Sequence, residues 1–341
     1  MSNAEALALP RQLNGARPLQ RARLAVVIPA LNEAETIGDV IAAVPRQIPG
    51  VAAVDVIVVD DGSTDGTGTR SLVAGADTVA RHPRNRGLAA CFRDGVREAL
   101  SRGATVVVSL DADGQHDPTM IPSLIEPILA GDADIVLGVR ALAEAKQMSR
   151  ARRYGNMAGS WVTRRMLGIE ITDATTGFRA FSRDAVLQLN ITSDFTYTLE
   201  TLIEAARKRL CITEVRVPAL PRLVGDSRMT RSITRYVSTA GGQAARGVLR
   251  NSIVPLLGRA ALISTLVAIA LTCKFLWGYR MDGAGRHLPA LLAAVLFSTI
   301  AAALFVARLI ADGIETTRRL LEEALYSIRR LELESASRRD A

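Results

Sequence analysis

The sequence predicts an α/β fold: a mostly parallel sheet with helices on both faces, followed by a C-terminal two-helix transmembrane hairpin. Three observations carry this. Apolar β-branched runs alternate with helical stretches from Leu24 to about Val139. The polar clusters "PALNE", "DDGSTDGT" and "DADGQHD" each follow one of those runs. Two long uncharged apolar runs occupy the last third of the chain. Strands with no polar alternation are buried on both faces, as in parallel sheets covered by helices. Such sheets bind ligands outside the carboxyl ends of their strands. The three polar clusters therefore mark the expected site.

Length and composition agree with this division. The 341 residues suit about two domains. Hydrophobic residues make up 49% and mean hydropathy is +0.19, which points to a large buried sheet, a membrane segment, or both. The formal charge is +8, and lysine occurs only at 146, 208 and 274, so 39 of the 42 basic residues are arginine. Arginine stays charged and grips phosphate with a planar fork, which suits phosphorylated ligands or anionic lipid. A GC-rich genome or a generic basic surface gives the same excess, so single arginines must be argued one at a time. Cys91, Cys211 and Cys273 are far apart and form no C-x-x-C pair, hence neither a disulfide framework nor a zinc site. A reducing cytosolic setting follows. Residues 1–23 lack the apolar core of a signal peptide and read as a loose basic tail.

The elements follow in order. Strands are expected at "LAVVIPAL", "VDVIVVDD", "DTVARH", "TVVVSLDAD" and "ADIVLGVR", with helices at "NEAETIGDVIAAV", "GLAACFRDGVREALSRG" and "PTMIPSLIEPILAG". Asn32, with Glu35 three residues on, reads as the capping box of the first helix. From Arg140 to Arg222 the pattern becomes α+β. "RRYGNMAGSWVTRRMLG" is helical, "TGFRAFSR" extended, "TYTLETLIEAARKRL" helical and "ITEVRVPAL" a strand. This part is expected to complete the sheet and cover the site. The boundaries are a tail at 1–23, a catalytic domain at 24–228, juxtamembrane helices at 229–254, two membrane helices within 255–310, and an amphipathic helix at 311–341.

The chain is uncharged from Ala260 to Cys273 and from Leu288 to Ala307. A span needs roughly 20 predominantly apolar residues. The second run meets this within 288–310. The first does so over 256–279 if Arg259 and Lys274 snorkel near its ends. The alternative is a buried soluble hairpin, against which stand two such runs in tandem around the short loop "RMDGAGRH". Trp277 and Tyr279 sit where interfacial aromatics belong. Arg246, Arg250 and Arg259 precede the hairpin and Arg308, Arg318 and Arg319 follow it, against Arg280 and Arg286 in the loop. That bias favours both ends in the cytoplasm. Residues 229–252 either lie along the membrane surface or form an ordinary connecting helix. In the tail, Leu320, Leu321, Leu325, Ile328 and Leu331 form one stripe, expected to pack on a partner copy or on the catalytic domain.

The chemistry concentrates in "VVSLDADGQHDP". Asp111 and Asp113 are two apart at a strand end and can share one side of it. Beside Gln115 they make a hard-cation site of the kind Mg²⁺ uses, with substrate phosphates completing the shell. Such a metal neutralises a leaving diphosphate. Taken alone, Asp-x-Asp-Gly is equally a common turn. Asp117 and Pro118 read as N-cap and first-turn proline of the next helix. His116 reads as a loop residue beside the metal site. Asp60 and Asp61 can accept from base or ribose groups. Arg84, Arg86 and the helix start at Gly87 suit phosphate. "DGSTDGTG" is not a dinucleotide fingerprint, because no G-x-G-x-x-G follows the first strand.

Taken together, "VVIPALNE", "VIVVDDGSTDGT", "NRGLAACFRDG", "LDADGQHDP", "VLGVR", "TDATTGFRAF", "EVRVP" and "PRLVGDSRM" resemble a known family. It is the inverting GT-A (Rossmann-like) glycosyltransferases related to dolichyl-phosphate mannosyltransferase. The resemblance covers residues 24 to about 228 and is to the polyprenyl-phosphate branch, of the two-span bacterial type. It implies transfer of a sugar from a UDP- or GDP-linked donor to polyprenyl (undecaprenyl) phosphate, with inversion, at the cytoplasmic membrane face. Pro29, Ala30, Asn32, Glu33, Asp60, Asp61, Arg86, Gly87, Asp111 and Ala112 would line the donor nucleotide. Asp111, Asp113 and Gln115 would hold Mg²⁺ or Mn²⁺. Arg140, Arg152 or Arg153, Arg222 and Arg228 would face the acceptor phosphate and the diphosphate. Asp113, Asp173 and Arg140 are the implied catalytic set. Two positions depart from the family pattern: Arg228 stands where lysine is common, and "TDATTGFR" replaces Asp-Pro-Thr-Ser-Gly-Phe-Arg. A nucleotide-sugar, the lipid phosphate, the membrane and a second copy of the chain, up to a tetramer, are the implied partners, with no nucleic acid.

A phosphate acceptor explains the lack of an obvious base. Its second pKa is about 6, so it is largely a dianion at neutral pH. It can attack without deprotonation, which leaves Asp173 a positioning or base role. Three alternatives share the early motifs. A processive polysaccharide synthase would carry Gln-x-x-Arg-Trp where this chain has "QAARG" at Gln243–Gly247. A hydroxyl-lipid glycosyltransferase and an inactive scaffold are the others; the intact Asp111-x-Asp113 stands against the last.

Overall fold

A seven-stranded sheet organises the first two thirds of the computed structural model, which describes residues 22–140, 171–174, 176–191, 197–218, 233–282 and 287–339. The strands are β1 (Ala22–Ala30), β2 (Val51–Asp60), β3 (Thr78–Arg81), β4 (Val106–Ser109), β5 (Ile135–Arg140), β6 (Arg179–Ser182) and β7 (Ile212–Val217). Their order is β3-β2-β1-β4-β6-β5-β7. Neighbours are parallel except at β6, which runs against both β4 and β5. All five expected strands of the first half are present. The two predicted later join the same sheet.

The absence of alternation in these strands has its cause in the layers. Leu24 to Ile28 are all fully buried. Leu24, Val26 and Ile28 pack on one face with Ile37 and Ile41 of α1 (Ile37–Ala42) and Leu124 and Ile125 of α4 (Ile121–Leu129). Ala25 and Val27 pack on the other, with Phe92 and Val96 of α3 (Leu88–Ser101) and Tyr197 and Leu202. Helix α2 (Thr67–Val73) follows β2. Because β6 is antiparallel, its first residue Arg179 lies opposite Ser109 at the end of β4. Its approach residues, 171–174 and 176–178, are thereby delivered to the carboxyl edge of the parallel strands.

Helix starts follow local chemistry, with one correction. Asp117 Oδ1 accepts from the Thr119 N–H at 2.9 Å, and Pro118 opens a 3₁₀ turn that leads into α4, as expected. Ser182 Oγ accepts from the Ala185 N–H and caps α5 (Arg183–Gln188). The capping box at Asn32 and Glu35 does not form. Helix α1 begins after Thr36 without a side-chain cap. Asn32 has φ 46° and accepts from the Thr64 N–H at 2.9 Å instead. Asparagine tolerates this left-handed conformation better than most residues, and the neighbouring loop offers it a donor.

Helix α6 (Thr198–Arg207) precedes β7. The chain then forms two very long helices, α7 (Ile233–Asp282) and α8 (Leu288–Arg339). Both helices run across the segment boundaries drawn at 254 and 310, and Pro255 lies inside α7. Such prolines are tolerated in membrane helices. Pro255–Met281 and Leu288–Leu333 contain stretches long and apolar enough to cross a membrane. Glycines seat the pair at both ends: Gly258 against the Arg308 guanidinium and Gly278 against the His287 ring. Leu262, Ile269, Leu292 and Val295 all point outward and are more than half exposed. A soluble core hairpin would bury them, and so large an apolar surface marks an interaction with lipid or protein.

The expected helix at 152–168, residues 229–232, and Arg152, Arg153, Arg222 and Arg228 lie outside the described residues. Arg140 ends β5, its side chain likewise outside them.

Candidate active site

The carboxyl ends of β1, β2 and β4 meet at one edge. Pro29 and Ala30 end β1, in register with Val59 and Asp60. The loop beyond β1 is tied to the loop beyond β2 by a ladder of backbone donors. Asn32 N–H gives to Ser63 Oγ at 2.9 Å, Glu33 N–H to Thr67 Oγ1 at 2.9 Å and Ala34 N–H to Asp65 Oδ2 at 3.1 Å. Burial opposes the charge on Asp65, but the bonds from Thr67 and Ala34 outweigh it and hold the carboxyl below its ordinary range. "NE" and "STDGT" thus form one rigid floor. Gly62 sits in its turn with φ 82°, where a Cβ would come 2.9 Å from the Arg84 backbone.

Asp60 and Asp61 lie under this floor. Asp60 is 1% exposed; it accepts from the Ser63 N–H at 2.8 Å and lies 3.6 Å from Arg81 Nε. Asp61 is 4% exposed and accepts from the N–H groups of Arg86 (2.8 Å) and Gly87 (2.9 Å). Its Oδ1 also lies 2.7 Å from His82 Nδ1, and His82 Nε2 lies 3.1 Å from Asp94. Arg86 reaches the same Asp94 at 2.9 Å. Asp61 is therefore an anchor, which fixes the 82–87 loop at the start of α3. Asp61, His82 and Cys91 bring three possible metal-ligating atoms within 4.8 Å of one another. The contacts there are hydrogen bonds, and burial, reinforced by Asp61, pushes the Cys91 thiol up, away from the thiolate that binds metals.

At the end of β4 the side chains alternate. Leu110 and Ala112 are buried, while Asp111, Asp113 and Gln115 are half-buried at the edge. Thr36 Oγ1 donates to the Ala112 carbonyl at 2.8 Å and holds this segment to the floor. Asp113 Oδ1 accepts from the Gln115 N–H at 3.1 Å around Gly114, φ 71°. His116 is 2% exposed, packs on Phe178 and lies 3.9 Å from Asp111. Two carboxylates and an amide oxygen on this accessible edge form a hard-oxygen donor set, which fits a divalent cation such as Mg²⁺. The buried Asp61 cluster does not.

The segment before β6 closes over Asp111. A Cβ at Gly177 would overlap the Asp111 carboxylate. Asp173 is fully buried in this segment. Arg179, also fully buried, holds it from below. Its Nε donates to the Thr176 carbonyl at 2.8 Å, its Nη2 to Ala174 at 2.9 Å, and its Nη1 to Thr198 at 2.6 Å and Thr201 Oγ1 at 2.7 Å. Thr176 Oγ1 in turn donates to the Gly138 carbonyl at 2.8 Å. Tyr197, fully buried at the start of α6, donates to the Gly177 carbonyl at 3.1 Å and lies 2.7 Å from Ser109 Oγ. Sequence reasoning misses Gly177, Arg179, Tyr197 and His82 as parts of this site. The one available signal is an arginine between two phenylalanines in "GFRAF", a cation in a run that should be core.

Comparison with known proteins agrees with this architecture. Residues 25–189 match the model of glycosyl transferase family 2. An undecaprenyl-phosphate mannosyltransferase of Micrococcus luteus is 33% identical over 225 residues, 62% of this chain and 89% of the relative. A polyprenol monophosphomannose synthase of Mycolicibacterium smegmatis is 30% identical, over 64% of this chain and 84% of the relative. In fold, the chain is similar to glucosyl-3-phosphoglycerate synthase of Mycobacterium tuberculosis in complex with Mn²⁺, UDP and glucosyl-3-phosphoglycerate. The TM-score is 0.53 at 24% identity, over 65% of this chain and 80% of that one. A relative matched over nearly its whole length, the family model and the strand-end site converge: this chain is a glycosyltransferase of family 2.

Proposed function

We propose that this enzyme transfers a sugar from a UDP- or GDP-linked donor to polyprenyl phosphate, with inversion, at the cytoplasmic face of the inner membrane. The observation that carries the reading is the joining of two features in one chain. Three oxygen donors stand accessible at the end of β4, and α7 and α8 are long and apolar enough to cross a membrane. The acceptors named in the two relatives, undecaprenyl phosphate and polyprenol, fit that pairing. Asp111, Asp113 and Gln115 would hold Mg²⁺ or Mn²⁺, which offsets the charge of the leaving diphosphate. Pro29, Ala30, Asn32 and Glu33 line the nucleotide, with Arg86, Gly87 and Ala112 beside it. Asp60 and Asp61 shape that pocket from beneath.

In the reaction, a phosphate oxygen of the lipid attacks the anomeric carbon as the bond to the diphosphate oxygen breaks. The bonding pair leaves with the nucleoside diphosphate. The lipid phosphate is already ionised, so what the protein must do is hold two anions together. Arg140, Arg152 or Arg153, Arg222 and Arg228 do this. Asp173, fully buried in the segment before β6, acts by positioning or as a base. The outward stripe of α8 suits a homo-oligomer.

The test is incubation of the detergent-purified protein with labelled UDP- and GDP-sugars and undecaprenyl phosphate. A chloroform-soluble, mild-acid-labile product of inverted anomeric configuration is expected. EDTA and Asp113→Asn should each abolish it. A long polymer, or label in neutral lipid alone, would overturn the reading.

A further inference from the structure

We propose that Tyr197 is a positioning residue that sets the Asp111 carboxylate through the backbone of Gly177. The inference rests on the reading of Asp111 as a metal ligand. The hydrogen bonds run in one direction. The phenol has a single hydrogen, given to the Gly177 carbonyl at 3.1 Å. Ser109 Oγ, 2.7 Å away, must then donate to the phenol oxygen. Burial first, and the nearby Asp111 charge second, push the phenol up, so it remains a donor. Ser109 is the last residue of β4, two before Asp111. Tyr197 thus joins the strand that carries the carboxylate to the segment that presses on it.

Gly177 is the contact itself. Its Cα lies so close to Asp111 that a methyl group would displace the carboxylate. The Gly177 carbonyl is held by Tyr197 and the preceding Thr176 carbonyl by Arg179 Nε. Two buried donors therefore fix the surface against which Asp111 rests. The Tyr197 ring is held independently, stacked on Phe92 with centroids 4.1 Å apart and planes at 6°. Replacing Tyr197 by phenylalanine keeps that stack and deletes only the hydroxyl.

The measurement is Mn²⁺ affinity of the full-length protein in detergent, by titration followed with electron paramagnetic resonance, alongside turnover. Losing one buried hydrogen bond should weaken Mn²⁺ binding by roughly tenfold in Tyr197→Phe, and lower kcat more than it raises the donor KM. Gly177→Ala, which keeps the hydroxyl, should show the same defect, and the double variant should be no worse than the poorer single one. Leu24→Ala, a core packing change at the far end of β1 and on the other face of the sheet, should lower the melting temperature and leave Mn²⁺ affinity unchanged. Asp111→Asn separates the two claims. If it does not weaken Mn²⁺ binding, the metal reading fails. If it does, and Tyr197→Phe binds Mn²⁺ like the unaltered protein, the positioning role is overturned. Should Tyr197→Phe not fold, Gly177→Ala decides: unchanged affinity there overturns it equally.

Discussion

Asp61 accepts three hydrogen bonds from the segment that opens α3, and it does so from beneath the site. Asp61→Ala would leave two backbone N–H groups and the His82 ring with a buried, missing acceptor. Each such loss costs about 1–3 kcal/mol. At the lower end this totals ~3 kcal/mol, seen as a drop of about 6–12 °C in melting temperature for a domain of this size. Asp61→Asn, which keeps one acceptor oxygen, should lose less. Loss of donor affinity with an unchanged melting curve would instead make Asp61 a ligand. The residue scale is also where the sequence is least legible. The motif "VVDDGSTDGT" locates both aspartates at a strand end, correctly. For Asp61 it cannot say whether the oxygens face solvent or the floor, because that depends on donors 21 to 26 residues away. Asp117 is legible because its partner, the Thr119 N–H, is local. Arg179 and Tyr197 are hidden for the same reason as Asp61: their partners are supplied by the folded segment.

At the scale of elements, α8 is held to the catalytic domain by charge. Arg318 bonds Glu322 at 2.7 Å and reaches Glu204 of α6 at 3.4 Å. Arg207 and Lys208 approach the same two acids, and Arg329 donates to the Leu187 and Leu189 carbonyls at the end of α5. Burial pushes the Glu204 carboxyl up, so this acid depends on its cationic neighbours to stay ionised. Arg318→Ala should weaken the docking by about 1.5–3 kcal/mol, the range for hydrogen bonds to charged groups. Amide exchange should then speed up in 198–207 and 311–333 while 288–307 stays protected; unchanged exchange would sink the idea. The apolar period of the tail identifies a helix correctly and points to its stripe as a contact with the catalytic domain or with a partner copy. Leu320, Leu321 and Leu331 are about 60% exposed, so the catalytic domain is not what they pack on. Periodicity reveals that a stripe exists; what covers it is set by the partner surface, and here α6 offers ions. The strands are legible for the converse reason. Two-sided burial leaves its mark in every residue of a run such as "LAVVI", whereas the direction of β6 leaves none.

The whole molecule is a catalytic domain joined to a pair of helices that extend far beyond it. At about 1.5 Å per residue, the 52 residues of α8 run roughly 78 Å. A bilayer core would take about 30 Å of that. The remainder includes the ionic contacts with α6, so the catalytic domain must lie on the side where Arg308, Arg318 and Arg319 emerge. In the proposed orientation, which the arginine bias favours, that side is the cytoplasm. The native cysteines test this without new probes. Cys211 is exposed beside β7 on the catalytic domain, Cys91 is buried beneath the site, and Cys273 lies within the apolar part of α7. A membrane-impermeant maleimide should therefore label the protein at Cys211 in inverted vesicles and leave it unlabelled in intact spheroplasts. Cys211→Ser should abolish the signal, because Cys91 is shielded by protein and Cys273 by lipid. Labelling of Cys211 from outside spheroplasts would reverse the topology. Labelling of Cys273 in Cys211→Ser vesicles would show that the first long helix faces water, and the hairpin would then have to be covered by protein, not by a bilayer.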